Sequence, residues 1–552
     1  MRRSRWWFVA GAGVAVLAVV VGWTLASWRS VPVRPAVRPA LRTDGAVRSR
    51  PGGGGAAPGG RGGPAGVAAQ PGSSAQARLI AYAESLPGDS HWGDGVTFSL
   101  RSPVAGFADR ASVLPGQVVH LYINATYPPV RVSAFRMGWY HGAEGHCVAT
   151  YPAVSDVHQP PDEFIPVTRT VSDANWHPSL TVDTTGWIPG DYLFLLQDAA
   201  GHGRWIPLTV RSPSVAGDIV LVNADTTWQA YNAYGGYSLY HGPDGSYQSR
   251  SYAVSFDRPI DYGGGSGDFY GNELPVVALA EKLGLPVAYV TDTDLDADPH
   301  LLDGARALIS LGHDEYWSTA MRDQVQQERD LHGMNVAFLG ANAIYRHIRM
   351  AATPLGPERL EIDYKDGALD PMNRINPAEA TYQWRDGPDP RPESVLTGAF
   401  YQCNPVHAAM RVFDAASWLF TGTPVQQGME LPGLAGQEFD MVDLAVPTPR
   451  PMDVLFHSPV TCRGHHLFQD TVYYTTPSGA GGFDSGTSAW ICGLTPACSR
   501  GNSPAARAVI TTVTTNLLQA FAAGPAGRTH PARDDVAALG MPTLAAPAPA
   551  EP

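Results

Sequence analysis

The sequence predicts an α/β domain on a parallel sheet, preceded by an all-β sandwich of immunoglobulin-like type and an N-terminal transmembrane helix. Three observations carry this. From Gly217 onward, continuous apolar runs rich in β-branched residues alternate with helical stretches, the pattern of strands buried on both faces. Between Leu79 and Ser212, short alternating runs recur between Pro, Gly and Asp, the rhythm of an antiparallel sandwich. From Trp6 to Trp28 no residue is charged.

That first run, at about 1.5 Å per helical residue, covers roughly 30 Å, the thickness of a bilayer core. Trp6, Trp7, Trp23 and Trp28 stand near its ends, where interfacial aromatics belong. The expectation is a single-pass membrane protein with its main domains outside the cytoplasm. The alternative is a secreted protein, cleaved after Thr24-Leu25-Ala26. The expected order is an anchor (1–29), a disordered Pro/Gly/Arg linker (30–78), the sandwich (79–213), the α/β domain (214–525) and a disordered tail (526–552).

The chain has 552 residues, with 38 Lys plus Arg against 51 Asp plus Glu, a net charge of −13. The basic excess sits before the folded part, so the remainder is more acidic still, which argues against a nucleic-acid partner. Lysine occurs only at Lys282 and Lys365.

In the α/β half, IVLVNAD, PVAYVTDTD, ALISLG and NVAFLG read as strands. LPVVALAEKLG reads as a helix, and Ser318 caps another that closes at Gly333. Ligands of such sheets gather at the carboxyl ends of the strands. These ends carry Asp225, Asp292, then Gly312-His313-Asp314-Glu315-Tyr316-Trp317, then Gly340-Ala341-Asn342-Ala343-Ile344-Tyr345. No Cys lies between Cys147 and Cys403, which excludes a thiol nucleophile in this half-sheet. G-x-S-x-G, phosphate-loop, H-E-x-x-H and C-x-x-C patterns are also missing. Carboxylate, His and phenol chemistry remain. Tyr316 and Tyr345 follow successive strands, and phenolate with carboxylate suits a hard cation. An isolated Tyr is more often a packing residue, so from the residues alone both readings stand.

The ordered set FDRPIDYGGGSGDFYGNELPVV, LISLGHDEYWS, FLGANAIYRHIR, LAGQEFD and YYTTPSGAGGFDSGTSAW, within residues 217–525, resembles the C-terminal domain of the large (β) subunit of N,N-dimethylformamidase and its relatives. The β domain, with FRMGWYHG and GDYLFLLQ, resembles the sandwich that precedes it in this group. The resemblance implies a glutamine-amidotransferase-like (flavodoxin-like) fold without the amidotransferase triad. It also implies a mononuclear iron (Fe3+) held by two tyrosines and a glutamate. Motif by motif, those ligands fall on Tyr316, Tyr345 and Glu438. The chain departs from the family in three ways. It has no room for an additional β-rich domain, it carries its own anchor and stalk, and Gly436 stands two residues before Glu438, where the family has a histidine. The family enzyme also works with a small partner subunit.

His313 and Glu315 are candidate acid–base residues, and Asn342 is either a ligand-orienting residue or a left-handed turn. Asp440 is a candidate supporting carboxylate beside Glu438, and Asp257, Arg258 and Asp261 a salt-bridged loop wall. Of five cysteines, Cys492 with Cys498 and Cys403 with Cys462 are candidate pairs. The expected function is iron-dependent hydrolysis of an amide C–N bond in a small or envelope substrate. A homo-oligomer is compatible with the sequence. The alternatives are a non-catalytic envelope protein that binds glycan or peptide, and a carbohydrate-active enzyme on the same fold.

Overall fold

A computed structural model describes residues 74–498 and 500–539. The sandwich packs a three-stranded sheet (Val104–Ala108, Val118–Ala125, Leu180–Asp183) on a five-stranded one (Ser112–Val113, Gly203–Val210, Gly190–Gln197, Val130–Met137, Gly145–Val154). Every second residue faces inward, as the period of a strand dictates. Val119, Leu121 and Ile123 meet Val132, Ala134, Phe194, Leu196 and Ile206, all buried. Each such aliphatic side chain contributes roughly 1.5–3 kcal/mol on burial.

The α/β domain is built on a seven-stranded sheet. In chain order its strands are β1 (Ile219–Asn223), β2 (Val287–Thr291), β3 (Ala307–Ser310), β4 (Asn335–Phe338), β5 (Met452–Cys462), β6 (His465–Thr475) and β7 (Gly481–Asp484), and in space they run β2-β1-β3-β4-β7-β6-β5. The expected all-parallel sheet is corrected here. β2, β1, β3, β4 and β7 are mutually parallel, but β5 and β6 form a long hairpin that adds antiparallel to β7. The chain crosses from β1 to β2 on one side and back to β3 on the other, so the order reverses at β1/β3. This is the switch point where a crevice opens.

A fully buried ion pair ties the two domains together. Arg136 of the sandwich meets Glu281 at 2.5 Å, and Glu281 also accepts from the Tyr289 hydroxyl at 2.5 Å. Nearby, a Cβ on Gly265 (φ +99°) would stand 2.2 Å from the Trp205 carbonyl oxygen, so only glycine fits that contact.

The membrane expectation is also corrected. Among the described residues no helix is long and apolar enough to cross a membrane, and the span expected over residues 6–28 lies outside them. The single-pass placement, with its orientation, is therefore unsupported. The longest helix, Pro504–Ala523, buries Val509, Ile510, Val513, Leu517 and Phe521 but carries Thr511, Thr512, Thr515 and Asn516 on its other face. The linker ends earlier than expected, because Ser74 caps a helix over Ala75–Glu84 that buries Ile80 and Ala83. The expected tail is packed as far as Leu539: His530 stacks on Trp418 at 4.1 Å and Val536 is buried. Residues 540–552 lie outside the described residues.

Candidate functional site

The turns after β3 and β4 touch backbone to backbone. A Cβ on Gly340 would lie 1.7 Å from the carbonyl oxygen of Gly312, which has φ +62°. This close approach brings the segment His313–Glu315 beside Asn342, itself left-handed at φ +60°. Two short parallel strands follow, Tyr316–Ser318 and Arg346–Thr353, in which Tyr316 pairs with Arg346.

Glu315 lies at the centre, 0% exposed, with its backbone N–H donated to Thr227 at 2.9 Å. Its Oε2 accepts from the hydroxyls of Tyr231 (2.8 Å) and Tyr240 (3.1 Å), which stand 2.6 Å from each other. Tyr240 in turn accepts from the Tyr316 hydroxyl at 2.5 Å, and Lys365 Nζ donates to Tyr316 at 2.7 Å. Four oxygens from four residues thus form one chain. Burial, then Glu315 and Asp363, push the Tyr316 phenol well above the usual range.

On the other side of Glu315, His313 Nε2 lies 3.4 Å from Glu315 Oε2 and 3.1 Å from Glu438 Oε2. The His313–Glu438 approach lacks hydrogen-bond alignment, so it is an ionic contact. Burial opposes charge on His313, but Glu438, then Glu315 and Asp268, outweigh it and push the imidazole up to about 10. Burial would likewise raise Glu438. The charge of His313, with contacts from His313, Asn404 and Asn342, holds it below the usual carboxylate range instead. Asn404 Nδ2 donates to Glu438 Oε1 at 3.0 Å, and Asn342 donates its backbone N–H to Asp440 at 3.0 Å.

His313, Glu315, Asn342 and Glu438 lie together in the fold. Tyr345 stands just before the strand Arg346–Thr353, next to Arg346, the pairing partner of Tyr316. Its ring packs edge-on against Tyr401 at 5.1 Å and under the Arg385 guanidinium at 4.7 Å, whereas Tyr316 points to Tyr240 and Lys365. Of the proposed loop wall, Asp257 pairs with Arg359, while Arg258 bonds the carbonyls of Tyr234, Tyr237 and Asn232. The disulfides are Cys403–Cys462 and Cys492–Cys498, and Cys147 stays a thiol.

Sequence reasoning missed Tyr231, Tyr240, Lys365 and Asn404. Two signals were present. Tyr231 and Tyr240 bracket the run YNAYGGYSLY after the first strand, and Lys365 is one of two lysines in an arginine-rich chain.

A family model described as N,N-dimethylformamidase beta subunit-like, C-terminal, matches residues 131–503. The chain belongs to this family. The match begins at the second residue of the sandwich strand Val130–Met137 and spans the whole site. No curated protein matches the chain.

The family implies iron, and the donor set can be tested against it. Among the described residues no three His, Cys, Asp or Glu side chains could hold a metal together; the phenols beside Glu315 are further oxygen donors. Ligand oxygens about 2 Å from one cation and at right angles to each other stand about 2.8 Å apart. The oxygens of Tyr231, Tyr240 and Glu315 stand 2.6 to 3.1 Å apart, which fits. His313 also stands two residues before Glu315, the spacing that Gly436 denies to Glu438.

Proposed function

We propose that this chain hydrolyses the C–N bond of a small amide, with Glu315, Tyr231 and Tyr240 as the residues that would hold a ferric ion. The observation that carries the reading is the meeting of two phenol oxygens and a buried carboxylate, next to a histidine held between two acids. The ion, when bound, supplies Lewis acidity toward an amide carbonyl and a water molecule. The chain's own residues supply the rest. Glu438 takes a proton from the attacking water, and Asn404 holds its carboxylate. His313 Nε2 passes a proton to the leaving amine nitrogen, so that the C–N bond breaks to a neutral amine. Lys365 fixes the Tyr316 hydroxyl, which in turn orients Tyr240. Enclosure favours a small substrate, since Glu315 and Tyr316 are fully buried.

The test is release of amine from a panel of short N-alkyl formamides and acetamides by the iron-loaded protein. Glu438→Gln keeps the shape and removes the base, and is expected to lose roughly 100-fold or more in kcat while the variant still folds. Release of no amine from any member of the panel, or an E438Q variant as active as the parent, would overturn the reading.

A further inference from the structure

Behind Tyr345, on the far side of the strand pair from Tyr316, lies a cluster that the reaction does not use. Arg322, on the helix Thr319–Gln327, is 0% exposed. Its Nη2 donates to the Pro392 carbonyl oxygen at 2.8 Å, while Nε and Nη1 have no hydrogen-bond partner among the described residues. The guanidinium lies 4.6 Å from the centre of the Trp384 ring, and Trp384 Nε1 is likewise buried and unpartnered. Two more cations stand near, but each has its own acid: Arg391 meets Asp323 at 2.6 Å and Arg329 meets Asp330 at 2.8 Å. No carboxylate pairs with Arg322 among the described residues. His347 stacks on the other part of Trp384 at 4.1 Å, and burial holds it neutral, its pKa lowered to about 4.

A guanidinium out of water needs a counter-charge, and native interiors rarely leave its N–H groups unbonded. Contact with the Trp384 ring covers one face of the guanidinium, but it satisfies none of the N–H groups, which lie in the guanidinium plane. The imbalance is a single positive charge, so a monovalent ion neutralises it and a divalent one would reverse it.

We propose that Arg322 Nε and Nη1, with Trp384 Nε1, form a buried site for one small monovalent anion of halide size. The anion balances Arg322 and braces the helix Thr319–Gln327 against the Trp384–Pro392 segment. The site is independent of the amide chemistry, because it shares no residue with it.

Bromide is the probe. Crystals of the full chain soaked in bromide should show an anomalous peak within about 3.5 Å of Arg322 Nε or Nη1. The melting temperature should rise with chloride at constant ionic strength, made up with gluconate, and level off as the site fills. Arg322→Gln should abolish both the peak and the chloride response. Should R322Q not fold, Trp384→Phe keeps the ring, deletes one donor and should lower bromide occupancy. Density for water without anomalous signal, or a melting temperature indifferent to chloride, overturns the site.

Discussion

Asp191 gives a sharp test of how the two domains are joined. It lies on a sandwich strand, 2% exposed, where Oδ1 accepts from Asn223 Nδ2 (2.6 Å) at the end of β1 and from Thr209 (3.0 Å). Its Oδ2 has no partner among the described residues. Burial pushes its pKa from 3.8 up to about 6, and the bonds from Asn223 and Thr209 only partly oppose this. The folded state therefore prefers the protonated acid. The favourable contribution is fully present below pH 3.8 and is lost as pH rises to about 6. At about 1.36 kcal/mol per pH unit, the loss comes to about 3 kcal/mol at pH 8. Asp191→Asn retains the acceptor oxygen and cannot ionise. Urea melts of both proteins from pH 4 to pH 8 should show D191N gaining on the parent by roughly 2.5 kcal/mol across that range. A difference that stays constant with pH would refute the reasoning, whatever its sign.

Two further predictions concern stability. Glu281→Gln leaves Arg136 charged and buried without its partner, and should cost about 3–5 kcal/mol in the same urea assay; a cost below about 1 kcal/mol would mean the pair is solvated. Serine at both Cys403 and Cys462 opens a closed loop of sequence separation 59 and should cost about 4 kcal/mol. Opening Cys492–Cys498, separation 6, should cost only about 2, and equal losses by calorimetry would contradict the loop argument.

Much of the fold was legible because local rules and tertiary packing agree. Ser318 caps its helix through the N–H of Met321, and Gly333 ends it at φ +77°, both as their residue types require. The apolar runs of the sandwich became strands for the same reason. The β5–β6 hairpin was not legible, since an apolar run does not state whether its neighbour lies parallel or antiparallel. The tail misled by composition. Its polar Asp535 bonds the backbone of Val454, and the Tyr473 hydroxyl bonds the carbonyl of His530. At the site, the strand ends supplied His313, Glu315 and Asn342 directly. Tyr231 and Tyr240 lie on a helix and an irregular loop, and only the folded chain brings their hydroxyls to Glu315.

The central claim, that Tyr231, Tyr240 and Glu315 hold a ferric ion, is tested most directly by iron content and the visible tyrosinate-to-iron band of the purified chain. The parent should carry about one iron per chain with that colour. Tyr240→Phe should weaken or abolish both, with a loss of stability near 1 kcal/mol, while Tyr345→Phe should leave both intact. A colourless, iron-free parent that stays folded after growth in iron, or an iron site lost in Y345F and kept in Y240F, would contradict the account.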